Sequence, residues 1–143
     1  MDLASWVAAA GGPGLAAAAF LGATLVPVSS EVAFVAALRL GLAPPEALVW
    51  ATAGNVLGCA VNYGLGMWGR SRVEPRLEAS GVGRAALRWT ERLGPPALLL
   101  SWLPVVGDPL TLAAGVARVR PAVFASLVGA TRALRYLALV PLG

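Results

Sequence analysis

Two of the four long apolar stretches in this chain are interrupted near their middle by a proline and an acidic residue. The stretches run from about Leu15 to Leu40, Ala47 to Trp68, Ala97 to Val116, and Ala122 to Leu142. Each has close to the ~20 residues that cross the ~30 Å hydrocarbon core of a bilayer. The chain is 58% hydrophobic and 13% charged, whereas roughly a quarter of the residues in soluble domains are charged. The sequence therefore predicts an all-α integral membrane protein.

The interruptions lie in the first and third stretches, at Pro27 and Glu31 and at Pro104, Asp108 and Pro109. Proline removes a backbone donor and breaks a helix. A carboxylate at the bilayer midplane costs about 2.5–3.5 kcal/mol on insertion scales. The arms left on either side have about ten to twelve residues, too few to cross the membrane. We therefore expect two re-entrant helical hairpins, because irregular backbone at membrane depth is tolerated only where protein surrounds it.

The second and fourth stretches are expected to be ordinary transmembrane helices. In the second, Gly54 and Gly58 have GxxxG spacing, which allows another helix to approach closely. Asn55 and Asn62 are seven residues apart and share a helix face, with Cys59 between them.

Between the second and third stretches lies a charged connector, residues 70–94, with six arginines and three glutamates. Arg84, Arg88 and Trp89, with Leu87 and Leu93, suggest an amphipathic helix at the membrane surface. A solvated connector fits the pattern equally well. Both readings place this segment in the cytoplasm, because positive charge is retained on that side.

An internal repeat emerges when the chain is shifted by 77 residues. The matched pairs are Pro27 with Pro104, Glu31 with Asp108, Pro44 with Pro121, and Asn55 with Arg132. We predict one membrane domain, residues 1–143, with repeat one at about 14–69, the connector at 70–94 and repeat two at about 95–143. Repeats of this kind are typical of secondary transporters, whose broken helices build a site near the midplane.

The arginines suggest how the repeats are oriented. If Arg118 and Arg120 lie in the cytoplasm with the connector, the first hairpin enters from outside and the second from inside. The two repeats are then inverted relative to each other. The alternative, four complete transmembrane helices, would place both arginines outside, against the positive-inside rule.

Polar residues within the apolar stretches are the candidate site. If the hairpin tips meet, Glu31 and Asp108 come together, and one of them is expected to hold a proton near neutral pH. Arg132 and Arg135 stay charged and can bind a phosphate or pair with the carboxylates. Pairing alone would simply lock the hairpins. The expected polar lining consists of Asn55, Asn62, Ser30 and Thr111, although Ser29, Ser30 and Thr111 fit equally well as helix caps.

Several classes of function are disfavoured. The chain has no His, and its single cysteine is Cys59, so we expect no metal site and no cofactor. All eleven basic residues are arginines placed between apolar stretches, and they do not form the basic patch of a nucleic-acid-binding protein. No basic residue precedes Arg39, so the first residues do not resemble a cleavable signal peptide.

Three runs resemble the YqaA-like branch of the DedA family, within the VTT (SNARE-associated Golgi protein) superfamily. They are Pro27 to Glu31, Gly54 to Gly58 with Asn62 and Tyr63, and Ser101 to Thr111. The resemblance extends over about Leu15 to Tyr136. It implies two facing re-entrant hairpins in the bacterial inner membrane. For some members it also implies proton-coupled movement of polyprenyl phosphate or phospholipid headgroups. By position, Glu31 and Asp108 match the hairpin acids, and Arg132 and Arg135 the later arginines.

These observations favour a small transporter of a lipid or lipid-phosphate headgroup, coupled to protons through the Glu31 and Asp108 carboxylates. The expected partners are membrane lipids, polyprenyl phosphate or phospholipid, and a second copy of the chain. We expect no enzymatic activity. Two alternatives stay open. One is an intramembrane lipid phosphohydrolase built on Ser29, Ser30 and Glu31, and the other is a membrane scaffold without turnover.

Overall fold

The computed structural model describes residues 3–24, 29–102 and 107–143, and every regular element in these ranges is helical. The predicted break residues Pro27 and Pro104 lie outside the described residues. The helices follow one another as α1 (Leu3–Ala23), α2 (Ser30–Arg39), α3 (Pro44–Trp68), α4 (Arg70–Glu78), α5 (Gly81–Leu93), the 3₁₀ segment Pro95–Trp102, α6 (Gly107–Val116), α7 (Pro121–Leu139) and a final 3₁₀ turn, Val140–Leu142.

The chain divides into two compact units. Unit 1 comprises Met1–Gly58 and Arg132–Gly143, and unit 2 comprises Cys59–Thr131. Each unit therefore contains one ten-residue helix, α2 or α6, together with a part of α3 and a part of α7. The unit boundaries cut through the predicted repeats, and the division into repeats and connector stays a prediction.

In unit 1, α1 begins earlier than the apolar stretch that predicted it. The helix starts at Leu3 and is kinked at Gly11, where φ is 61°. Glycine tolerates this left-handed conformation, and Pro13 follows in the first turn of the next helical segment, where its missing N–H costs no hydrogen bond. The core combines many alanines with larger side chains from four helices, including Leu15, Phe34 and Tyr136.

The GxxxG prediction for α3 is confirmed, and the helix that approaches is α1. A Cβ atom added at Gly54 would lie 2.0 Å from the carbonyl oxygen of Ala16, and one at Gly58 would lie 2.6 Å from that of Phe20. Only glycine permits this contact, because both clashes are with backbone. The close approach also brings the Asn55 amide to the Ala19 carbonyl, to which it donates at 3.3 Å.

Replacing Gly54 with alanine is expected to lower the free energy of unfolding by about 1–3 kcal/mol, because α1 must move away from α3. Gly129 in α7 provides the matched control, since an added Cβ there meets nothing within 4 Å. Gly129→Ala should raise stability by about 0.5–1 kcal/mol through the lower entropy of the unfolded chain. Thermal unfolding in detergent micelles measures both. Equal melting temperatures for the two variants would contradict the packing described here.

Unit 2 surrounds α6 with the end of α3 and the connector helices. Gly66 and Gly115 face each other across α3 and α6, and an added Cβ on either would lie 2.1–2.2 Å from a carbonyl oxygen of the other helix. The predicted amphipathic helix is α5, which buries Ala86 and Thr90 and exposes Arg84. Its Leu87 and Trp89 pack against the core of the unit. Its position relative to a membrane surface stays a prediction.

The 77-residue offset recurs in the local structure. The bounds of α2 shifted by 77 are those of α6, and the first residues of α3 and α7, Pro44 and Pro121, differ by the same number. Both short helices end in the same motif. Gly41 and Arg118 have positive φ angles of 100° and 55°, and the hydrogen bonds around them correspond pair by pair. This is the Schellman arrangement, which satisfies the last helical carbonyls. The correspondence supports a repeat.

Two helices among the described residues are long and apolar enough to cross a membrane, Ser5–Ala23 and Pro121–Leu142. The second agrees with the fourth predicted stretch. The first is α1, so the prediction that the arm before the first break has only ten to twelve residues and is too short to cross was wrong. Helix α3, the second predicted stretch, is not among these candidates, because its asparagines and glycines lower its hydropathy although its 25 residues would extend ~37 Å.

Candidate functional site

The site begins at the N-terminus of α2. Ser29 is the N-cap, and its hydroxyl accepts a hydrogen bond from the backbone N–H of Val32 at 3.3 Å. Glu31 lies in the first turn, where the unpaired N–H groups and the helix dipole favour a negative charge. The capping role considered for Ser29 is thus confirmed. The same local structure gives the Glu31 carboxylate a place at the positive end of the helix.

The carboxylate of Glu31 is paired with Arg135 on α7. Nη1 of Arg135 lies 3.2 Å from Oε1 of Glu31, while the hydroxyls of Ser29 and Ser30 donate to Oε2 at 3.4 Å each. Donors from two helices therefore converge on one anion. The Glu31 side chain is 41% exposed and that of Arg135 is 18% exposed, so the pair is accessible at the surface of unit 1. This pairing agrees with the alternative in which an arginine only neutralises the acid and thereby locks the hairpin.

The residue next to Arg135 completes this cluster, and sequence reasoning did not identify it. Tyr136 is 0% exposed, and its ring lies 5.1 Å from that of Phe34, centroid to centroid. The guanidinium carbon of Arg135 lies 5.5 Å from the centroid of the Tyr136 ring, within the range of a cation–π contact. The Tyr136 ring, which packs on Phe34, thus contacts the guanidinium that pairs with Glu31. The only sequence signal was an aromatic residue beside an intramembrane arginine.

Arg132 is more deeply buried than Arg135. Its side chain is 3% exposed and Asn55, its counterpart in the repeat, is 1% exposed. Both take part in interactions with other residues. An arginine at this burial must be held by polar groups, because an uncompensated buried charge is strongly destabilising.

Unit 2 has a different polar arrangement around Asp108. Asp108 lies in the first turn of α6, as Glu31 does in α2. Its backbone carbonyl accepts from the hydroxyl of Thr111 at 2.7 Å, and the same hydroxyl accepts from the amide of Asn62 at 3.2 Å. Thr111 and Asn62 are both buried, so α3 and α6 are joined by a hydrogen bond inside the unit.

Thr111→Val should lower the free energy of unfolding by about 1–2 kcal/mol, because it removes this interhelical hydrogen bond without changing the side-chain shape. Thr90→Val is the matched control, since its hydroxyl bonds only to Ala86 of its own helix among the described residues. The control should change stability much less. Similar losses in both variants, measured by thermal unfolding, would contradict the proposed role of Thr111.

The remaining predicted positions are distributed as follows. Pro109 lies within the first turn of α6, where proline is compatible with a helix, so it helps begin this helix and does not break it. Glu31 belongs to unit 1 and Asp108 to unit 2, and their meeting stays a prediction. A second buried polar contact missed in the sequence joins Ser101 and Thr131 at 3.3 Å. No cluster of three metal-ligating acids or thiols occurs in the part of the chain described.

An apolar groove of about 530 Å³ runs along α3 and α7 in unit 1. Its walls include Val49, Val56, Leu134 and Leu137. Val49, Leu134 and Leu137 are more than half exposed, which is expected for side chains that face lipid and unusual for a water-exposed surface. Because Ala133, Leu134 and Leu137 line it, the groove lies beside the segment of α7 that carries Arg132 and Arg135.

Comparisons with known proteins match residues 26–143 to the model described as the VTT domain. The chain is 44% identical to the inner membrane protein YqaA of Escherichia coli K12 over 127 residues, covering 87% of this chain and 84% of that protein. The YqaA protein of Shigella flexneri matches equally. An uncharacterised protein of Haemophilus influenzae is 36% identical over 136 residues, covering 85% and 80%. No solved structure matches. Together with the two apolar helices, these relatives locate the chain in the bacterial inner membrane.

Proposed function

The chain belongs to the VTT-domain family of membrane proteins, and on this premise we propose that it moves a lipid or lipid-phosphate headgroup across the cytoplasmic membrane with proton coupling. The observation that carries the proposal is the Glu31–Arg135 pair at the N-terminus of α2. A partly exposed acid and a permanently charged base at the start of a ten-residue helix provide a proton acceptor and an anion-binding group in one place.

Proton coupling follows from the chemistry of the pair. Arginine does not release its proton under physiological conditions, so the carboxyl of Glu31 is the member of the pair that can exchange one. When Glu31 is protonated it loses its charge, and Arg135 is released to bind another anion. When Glu31 is ionised it competes with that anion for Arg135. Binding of a headgroup and binding of a proton therefore favour each other.

The second carboxylate, Asp108, is proposed to share the site. Its position in α6 matches that of Glu31 in α2, at the same 77-residue offset as the ends of the helices. Two carboxylates in a desolvated site rarely ionise together. Their meeting would add a second titrating group to the cycle, with Arg132 as the second cation.

The proposed architecture has two re-entrant hairpins in inverted orientation. Helices α2 and α6 have ten residues each, or ~15 Å, which is half of the ~30 Å hydrocarbon thickness. Helix α2 packs against α1, and α6 packs against the 3₁₀ segment Pro95–Trp102. We further propose that the chain acts as a homo-oligomer. A bundle of this size leaves many large apolar side chains exposed, and a second copy could cover some of them.

Reconstitution into vesicles tests the proposal. Fluorescent phosphatidylglycerol, a phosphodiester that stays ionised, is placed in one leaflet, and its appearance in the other is followed by chemical quenching. Wild-type vesicles should equilibrate the label faster than protein-free vesicles, whereas a labelled neutral diacylglycerol should show no protein-dependent change. Glu46→Gln, an exposed acid in the first turn of α3, should behave as wild type.

Two other outcomes would replace the proposal. Release of inorganic phosphate from phosphatidic acid would identify a phosphohydrolase, which the 3.4 Å approach of the Ser29 and Ser30 hydroxyls to Glu31 also permits. Ser29→Ala and Ser30→Ala would then abolish the release. Absence of both movement and hydrolysis in well-folded protein would indicate a scaffold.

A further inference from the structure

Two buried donors beside the Glu31 carboxylate are not used by it. The Nε atom of Arg135 and the hydroxyl of Tyr136 are both buried and make no hydrogen bond with any described residue. The Tyr136 hydroxyl lies close to the side chains of Ser30 and Arg135, but not in hydrogen-bonding geometry with either. A buried donor without an acceptor costs about 1–3 kcal/mol, and such groups in native proteins call for an explanation.

The unused donors lie around an anion site that is already built. Glu31 occupies it with two oxygens, which receive Arg135 Nη1 on one side and two serine hydroxyls on the other. A phosphate offers more acceptor oxygens than a carboxylate, and arginine binds phosphate through two parallel N–H groups. The Arg135 Nε and Tyr136 hydroxyl donors, which the carboxylate does not use, are available to the additional oxygens of a phosphate.

We propose that Glu31 holds this site as an internal substitute for the phosphate group of a lipid, and that Tyr136 is a phosphate-binding residue. On protonation the Glu31 carboxyl leaves, and the phosphate takes its place at the N-terminus of α2. The Arg135 guanidinium, the serine hydroxyls and the Tyr136 hydroxyl then donate hydrogen bonds to it. This inference rests on the proposed function and identifies the residues that recognise the cargo.

The charged environment of Glu31 within unit 1 allows such an exchange. From α7, Arg135 and Tyr136 face it. Residues 3–24, which include α1, carry no titratable side chain. On α2 itself, Arg39 is at the opposite end and donates to the Leu142 carbonyl at 3.1 Å. Glu46 of α3 is exposed and follows the end of α2. Protonation of Glu31 thus removes the carboxylate charge that pairs with Arg135.

Tyr136→Phe separates this role from a structural one. The substitution keeps the ring that packs on Phe34 and removes only the hydroxyl. Because that hydroxyl has no acceptor in the described part of the chain, the melting temperature should stay the same or rise. Affinity for an anionic lipid should fall roughly tenfold or more, the usual effect of losing one hydrogen bond to a charged group. If the Tyr136 hydroxyl had only a structural role, its removal would lower the melting temperature and leave the lipid affinity unchanged.

The other tyrosine of the chain is the matched control. The hydroxyl of Tyr63 donates to the carbonyl of Val119 in unit 2. Tyr63→Phe should therefore lower the melting temperature and leave lipid affinity unchanged. The two tyrosine variants are thus expected to have opposite effects on stability and on binding.

Isothermal titration of the full chain in detergent provides the test. The probes are dihexanoyl phosphatidylglycerol, inorganic phosphate, and dihexanoylglycerol, which lacks the phosphate. We expect phosphatidylglycerol to bind wild type, the diacylglycerol not to bind, and Tyr136→Phe to bind weakly. Equal affinity of wild type and Tyr136→Phe would overturn the inference while leaving the proposed function intact. No binding by wild type would contradict the anion site itself. Inorganic phosphate binding as tightly as the lipid would assign the site to free phosphate.

Discussion

Glu31→Gln is expected to abolish proton-coupled lipid movement while preserving, or strengthening, the binding of an anionic lipid. Glutamine has the size of glutamate but cannot take up a proton or compete as an anion for Arg135. The wild-type protein should bind dihexanoyl phosphatidylglycerol more tightly as the pH falls, because protonation of Glu31 vacates the site. The variant should bind with an affinity that does not change with pH, and at least about tenfold more tightly than wild type at the alkaline end of the range.

Titrations at several pH values, together with the vesicle assay, measure these two effects. Glu46→Gln is the control for loss of one carboxylate, because it removes an exposed acid outside the site. It should retain both the pH dependence and the transport. A Glu31→Gln protein that transports at the wild-type rate, or that binds with the wild-type pH dependence, would show that Glu31 is not the coupling group.

Arg135→Gln is expected to have the largest effect on stability among single changes in the site. It leaves the Glu31 carboxylate without its cation, and breaking a buried ion pair from one side costs about 3–5 kcal/mol. The loss here should be on the order of 2 kcal/mol, because Glu31 is 41% exposed and the serine hydroxyls remain as donors. Lipid binding should be lost in the same variant, since the charged donor is gone.

The double variant Glu31→Gln/Arg135→Gln distinguishes the two consequences. Removal of the orphaned carboxylate should restore most of the stability, because two neutral amides can satisfy each other. Binding and transport should stay absent. A double-mutant cycle on the free energy of unfolding gives the coupling energy of the pair. Additive losses in the two single variants would contradict a direct interaction, and restored binding in the double variant would exclude Arg135 as the headgroup ligand.

Much of the local structure could be predicted from the sequence, because it depends on near neighbours. Ser29 caps a helix since its hydroxyl meets an N–H three residues later. The spacing of Gly54 and Gly58 predicted a close helix contact. Ala16, on the opposite helix, could not be predicted, because one helix contains no information on its partner. The 77-residue offset anticipated the equal bounds of α2 and α6.

The features that sequence reasoning missed depend on distant contacts or on weak local preferences. The pairing of Glu31 with Arg135 links residues 104 positions apart in sequence, and this was only one of several pairings that the charges allowed. Tyr136 acquires its position from the packing against Phe34. Helix α4 was not predicted, because Pro75 lies inside it and its sequence is strongly charged. The early start of α1 was not predicted, because two glycines and a proline precede the apolar stretch that begins at Leu15, and the helix continues through them with a kink at Gly11.

Measurement of proton movement together with lipid movement shows directly whether Glu31 couples the two. Vesicles with a trapped pH-sensitive dye are given phosphatidylglycerol on one side, and proton and lipid fluxes are recorded together. Phosphatidylglycerol is suitable because its phosphodiester stays ionised and carries no proton by itself. We predict a proton flux in the same direction as the lipid in wild-type vesicles, and none above protein-free vesicles with Glu31→Gln. Lipid movement without any proton flux in wild-type vesicles would contradict proton coupling through Glu31.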